Sequence, residues 1–139
     1  MGQFLDPLAI TITGPTSQIV ELTGGIRYKD DNGKVYPVPG GFKCDLASVP
    51  KWLQSLAPPW EQSGRAGVLH DCGYRWEEVW HLGKKKVDDL FYEGLRADGV
   101  GRFSAKAMHL AVRMFGKKAW DGWRTTPEQD KGVQPSPVV

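Results

Sequence analysis

The chain changes its hydrophobic period once. Up to about residue 42, apolar residues alternate with polar ones in short runs bounded by turn residues. Beyond residue 60 they recur every three or four positions. The first pattern fits half-buried strands and the second amphipathic helices, so the order is strands and then helices.

In the first part, Leu8 to Thr13 alternates and stops at Gly14-Pro15. Ile19-Val20-Glu21-Leu22 opens another strand, with Gly24-Gly25 as a bulge within it. Ile26-Arg27-Tyr28 runs into Asp30-Asp31-Asn32-Gly33, a hairpin turn in which Asn-Gly accepts positive φ. The returning Lys34 to Val38 contains Pro37 and is followed by Pro39, which marks an edge strand or a short one. Ser48 can cap a short helix over residues 51–56 that carries Pro50 at its start.

Three longer helices are predicted, over residues 61–79, 84–97 and 104–120. Val87, Leu90, Phe91, Gly94 and Leu95 line one side of the second, and Ala107, Met108, Leu110, Ala111, Met114 and Phe115 recur along the third. Asp98-Gly99-Val100-Gly101 is the turn between them. The last segment, 124–139, is polar, holds three prolines and has no period, so it reads as a flexible tail or an arm that orders on a partner. The resulting expectation is one α+β domain over residues 1–123. It has a small N-terminal antiparallel sheet followed by a three-to-four-helix half, with the tail at 124–139.

The helical half carries the chemistry. His70-Asp71 stands on an otherwise apolar stretch, Gly67 to Trp76, and buried titratable groups need partners. Asp88-Asp89 follows on the next helix. If Asp88 faces His70 across the helix pair, it accepts one imidazole N–H and leaves the other nitrogen as a base. Tyr74, four residues from His70, shares its face and can donate to the same carboxylate. Asp71 points toward the rim, where it can bind a hard cation such as calcium, and Asp45 can turn the chain or join that site. The bland reading is a satisfied His-Asp-Tyr network that pins two helices.

Other chemistries fit less well. A metal phosphohydrolase of the His-Asp type needs an upstream histidine, and His70 is the first in the chain. Zinc held by Cys44, His70, Cys72 and His81 lacks paired-ligand spacing. Cys72 as a nucleophile competes with the commoner fate of a small buried thiol. Two cysteines make no disulfide scaffold and suit a reduced, cytosolic product. His81 and His109 read as helix-end or surface residues.

Composition changes the picture little. With 139 residues, 24% charged and a net charge of +2, the chain has no global basic excess, and Lys84-Lys85-Lys86 is a short solvated run. Nucleic acid is therefore not an expected partner. No apolar run is long enough for a membrane span or a secretory leader. The expected location is the cytoplasm or, if the chain leaves the cell, a particle.

Two resemblances bear on these residues. Gly41-Phe42, Asp45 and Ala47-Ser48-Val49-Pro50, then His70-Asp71 with Tyr74, then Asp88 with Phe91, resemble a family of small phage and prophage proteins catalogued as a domain of unknown function. The resemblance spans residues 40–120 and implies a bacteriophage or prophage gene, with other particle proteins or the host envelope as partners. More distantly, His70-Asp71, Tyr74 and Asp88 with Phe91 are similar to the helix pair of secreted phospholipases and of the phospholipase domain of parvovirus capsids. That similarity implies His70 as base, Asp71 as calcium ligand, Asp88 as orienter and Tyr74 as its support. The chain departs from those enzymes where their glycine-rich calcium loop would stand, at Gly40 to Asp45, and it lacks their cysteines. Function accordingly divides between a small phage hydrolase with a His-Asp dyad and a phage structural or assembly protein in which the network is glue.

Overall fold

The structure is a computed structural model that describes residues 2–13, 19–45 and 60–139. Among the described residues six strands precede five α-helices: β1 (Gln3–Phe4), β2 (Ile10–Thr13), β3 (Ile19–Leu22), β4 (Ile26–Lys29), β5 (Val35–Val38), β6 (Lys43–Asp45), α1 (Trp60–Arg75), α2 (Glu77–Trp80), α3 (Lys84–Ala97), α4 (Arg102–Phe115) and α5 (Lys117–Thr125). The class is α+β, with the sheets first. The expected Gly14-Pro15 turn and the short helix over 51–56 lie outside the described residues.

The strands form two antiparallel sheets rather than one, ordered β1-β4-β5 and β2-β3-β6. Gly24-Gly25 is therefore not a bulge within a strand but the bend where the chain leaves one sheet for the other. A side chain at Gly25 would press within 2.8 Å of the Val38 carbonyl, so the bend needs a residue without a Cβ. The hairpin falls at the expected place. Asp30 accepts hydrogen bonds from the Asn32 and Lys34 amides and from the Tyr36 hydroxyl, each 2.9 Å long. Gly33 follows at φ 83°. Burial works against the Asp30 charge, but these donors outweigh it and lower its pKa.

Alternation along β4 and β5 buries Ile26, Tyr28, Tyr36 and Val38 against Val68, Leu69 and Cys72 of α1 and against Trp76 and Trp80. A second cluster joins Ala66 of α1, Phe91 and Leu95 of α3, and Ala105 and Met108 of α4. α1 and α3 pack closely because small residues face the partner helix. A Cβ on Gly73 would lie 2.7 Å from a Val87 methyl carbon, and one on Gly94 would lie 3.1 Å from Ala66 Cβ. This close approach brings the polar residues of the two helices within hydrogen-bonding reach.

The helices also break where the period alone gives no warning. The predicted 61–79 helix stops at Arg75, Trp76 turns out of helical geometry, and α2 ends at His81 in a left-handed conformation, φ 52°. The predicted 104–120 helix divides at Gly116 into α4 and α5.

The segment 124–139 makes contacts with the preceding helices and with β5. α5 runs to Thr125. Farther on, Lys131 is buried and pairs with Glu78 at 2.6 Å, and Trp80 Nε1 donates to the Ser136 carbonyl at 3.1 Å. Val139 exchanges two backbone hydrogen bonds with Val35. It thereby covers the β5 edge beside Pro37.

Candidate functional site

Asp88 belongs to the apolar stripe of α3 and its side chain is fully buried. A carboxylate there needs several donors, and four converge on it. His70 Nε2 lies 2.8 Å from Oδ1, and the Tyr74 hydroxyl donates to the same oxygen at 2.7 Å. Lys84 Nζ donates to Oδ2 at 2.8 Å and the Arg113 guanidinium at 3.2 Å. Burial alone would raise the Asp88 pKa. The bonds from His70, Lys84 and Tyr74 outweigh it and hold the carboxyl well below the ordinary range. The Tyr74 hydroxyl shifts the other way, upward, from burial and then from its bond to the charged carboxylate.

An ionised Asp88 accepts rather than donates, so neutral His70 carries its proton on Nε2. Its lone pair is then on Nδ1, which has no hydrogen-bond partner among the described residues. The imidazole is held between Tyr74 and Phe91, with ring centroids 4.2 and 4.9 Å away, and its side chain keeps 15% exposure. Trp120 of α5 meets the Tyr74 ring edge-on at 5.2 Å. Gly116 crosses the Tyr74 hydroxyl so closely that any side chain there would collide with it.

His70, Tyr74 and Asp88 thus meet, and Asp71 stands apart from them. Asp71 pairs with Arg75 one turn on, at 2.7 Å. That guanidinium also donates to the Lys43 carbonyl at 2.8 Å and lies between the Phe42 and Trp123 rings, 4.4 and 4.6 Å from their centroids. Asp45 closes β6 opposite Ile19, and its side chain lies outside the described residues, as does Ser48. Among the described residues no three His, Cys, Asp or Glu side chains gather as a metal-holding group. With Asp71 committed to Arg75, the described donors do not fit a calcium site.

Lys84, Arg113 and His109 enter the polar layer beyond what the sequence reading assigned. Lys84 was the most legible, standing four residues before Asp88 at the spacing of a helical ion pair. Its ammonium also caps α4 by donating to the Val112 and Arg113 carbonyls. Arg113 comes from a helix 25 residues away in sequence, with no local signal. His109 was expected at a helix end or surface but lies mid-helix, with Nε2 3.0 Å from Asp89 Oδ1 and Nδ1 buried without a partner among the described residues. Cys44 and Cys72 are buried free thiols, and burial drives both pKa values up, so neither is a thiolate nucleophile near neutral pH.

These features define an α+β protein whose two central helices share a buried, fully hydrogen-bonded aspartate with a mostly buried histidine. The chain belongs to the family described as protein of unknown function DUF1353, whose model matches residues 20–112. It is 34% identical over 119 residues to the uncharacterized protein y4jT of Sinorhizobium fredii (strain NBRC 101917 / NGR234), covering 83% of this chain. It is also 34% identical over 101 residues to the uncharacterized protein y4iH of the same strain, covering 70% of this chain. The chain spans only 32% and 40% of the length of these two relatives. No solved structure matches it.

Proposed function

We propose that the chain is a small phage-derived hydrolase in which His70 activates water. The Nδ1 lone pair takes a proton from water as the hydroxide oxygen bonds to an ester or amide carbonyl. The imidazolium that forms is stabilised through Nε2–H by Asp88. Collapse of the tetrahedral adduct expels the alcohol or amine, which recovers the proton from Nδ1. Tyr74 fixes the Asp88 carboxylate and acts as a positioning residue. The substrate class is an ester or amide of the host envelope, with phospholipid first. The observation that carries this reading is the His70 Nε2 to Asp88 Oδ1 contact of 2.8 Å beside an Nδ1 with no partner among the described residues.

A second reading has its own support. Lys84 and Arg113 also hold Asp88, so the carboxylate joins α1, α3 and α4 whether or not His70 reacts. On that reading the chain is a phage particle or assembly protein and the network is structural.

The deciding experiment compares wild type and His70→Ala on phospholipid, soluble ester and peptidoglycan substrates, with circular dichroism as the fold control. The hydrolase reading expects turnover that His70→Ala abolishes while the fold survives. A wild type without turnover, together with a His70→Ala protein that loses stability, would sink it in favour of the structural protein.

A further inference from the structure

Among the described residues seven large apolar side chains are exposed, and four of them, Phe103, Leu110, Met114 and Phe115, lie on α4. That concentration makes a patch rather than a scatter. Phe103, Ala107, Leu110 and Met114 follow at intervals of four, three and four, which sets them along one side of the helix. Phe103 is 88% exposed and Met114 68%. A different side, Ala105, Met108 and Ala111, faces the core.

The charge of this region is as one-sided as its apolar stripe. Residues 102–124 contain six Lys or Arg and a single acid, Asp121, a surplus of five in a chain whose net charge is +2. The remainder of the molecule is therefore net acidic. Arg113 turns inward to Asp88, Arg124 donates to the Tyr74 carbonyl, and Lys117 pairs with Asp121. Arg102, Lys106 and Lys118 are exposed, with Lys106 lying across the Tyr92 ring at 5.7 Å.

We propose that α4 and the start of α5 form a docking surface for a lipid bilayer carrying anionic headgroups. An exposed apolar stripe flanked by basic side chains matches the boundary of acyl chains and headgroups, where the apolar side sinks and the cations meet phosphate. A nucleic-acid footprint would present the cations without exposed Phe103 and Met114 at their centre. The surface adjoins the His70 network, because Arg113 of α4 reaches Asp88. In naming phospholipid as what His70 would meet, the inference rests on the hydrolase reading. As a docking surface it stands on α4 and α5 alone.

The test is co-sedimentation of the full chain with vesicles of phosphatidylcholine alone or mixed with phosphatidylglycerol, at low and high salt. Two exposed double variants, Phe103→Ser with Met114→Ser and Lys106→Glu with Lys118→Glu, are compared after circular dichroism shows them folded. Wild type is expected to bind the mixed vesicles at least about tenfold more tightly than the neutral ones, with salt weakening the binding, and each variant is expected to lose most of that gain. Equal or absent binding to both vesicles would overturn the proposal. So would vesicle binding that both variants retain, or a wild-type dimer in sedimentation velocity that Phe103→Ser with Met114→Ser dissociates. Vesicle binding without turnover would sink the hydrolase reading and leave the docking surface standing. Turnover of a soluble ester without vesicle binding would do the reverse.

Discussion

Lys84 Nζ lies 2.8 Å from Oδ2 of Asp88, on the oxygen opposite the one that faces His70. One carboxylate therefore serves two purposes in the same place. Oδ2 binds the cations that tie α3 to α4, and Oδ1 holds the histidine of α1. The pairing explains how a fully buried aspartate stays ionised next to Phe91 and Leu90.

Asp88 makes the folded state lose stability in acid. Its folded pKa is depressed, so its contribution is present above the unfolded value of about 3.9 and is lost as pH falls through the folded one. Thermal unfolding across a pH series should show Asp88→Asn less stable at pH 7, by about 3–5 kcal/mol if Lys84 is left with no anionic partner. The gap to wild type should narrow below about pH 4. A constant gap would mean that Asp88 acts by shape rather than charge.

Gly116 should tolerate no side chain. A methyl there would collide with the Tyr74 hydroxyl and the Val112 carbonyl, whereas one at Gly122 would meet nothing within 4 Å. Urea unfolding should place Gly116→Ala about 1–3 kcal/mol below wild type, with Gly122→Ala neutral or slightly stabilised as alanine favours the helix. If His70 catalyses, Gly116→Ala should also lower turnover by displacing Tyr74.

Glu93 is held against its interest in charge. Burial raises its pKa above the ordinary value, Lys86 opposes the rise, nearby Asp30, Asp31 and Asp89 add to it, and Oε2 is buried without a partner among the described residues. A raised carboxyl pKa destabilises the folded state once the group ionises. Glu93→Gln should therefore raise the Tm at pH 7 by an amount worth less than about 1 kcal/mol, since the residue is only partly buried. The gain should vanish below about pH 4, where both side chains are neutral. A lower Tm at pH 7 would reverse the argument.

Calcium should not stabilise the chain. Ligands that bind only the folded state raise the Tm by mass action, and Asp71 already serves Arg75. Thermal unfolding with calcium and with chelator should coincide for wild type. Asp71→Asn should lower both curves equally by about 1 kcal/mol, the worth of a partly exposed ion pair. A calcium-dependent rise in wild type that Asp71→Asn removes would restore a cation to this end of α1.

The sequence by itself determined the order of strands and helices, the hairpin at Asp30 to Gly33, and the identity of His70, Tyr74 and Asp88 as a set. Each of these is local or periodic information. Turn chemistry acts over four residues, helical spacing puts His70 and Tyr74 on one face, and a single polar residue in the Val87 to Leu95 stripe must find donors. Tertiary structure decided the rest. Gly24-Gly25 separates two sheets because the backbone packs against Val38, a fact of three dimensions. Arg113 reaches Asp88 from another helix, and Arg75 takes Asp71 because Phe42 and Trp123 close around the guanidinium. The aperiodic C-terminal segment found its place through Lys131, Ser136 and Val139, which bond to Glu78, Trp80 and Val35. Contacts between residues distant in sequence leave no period to read, because each depends on where two separately folded elements happen to meet.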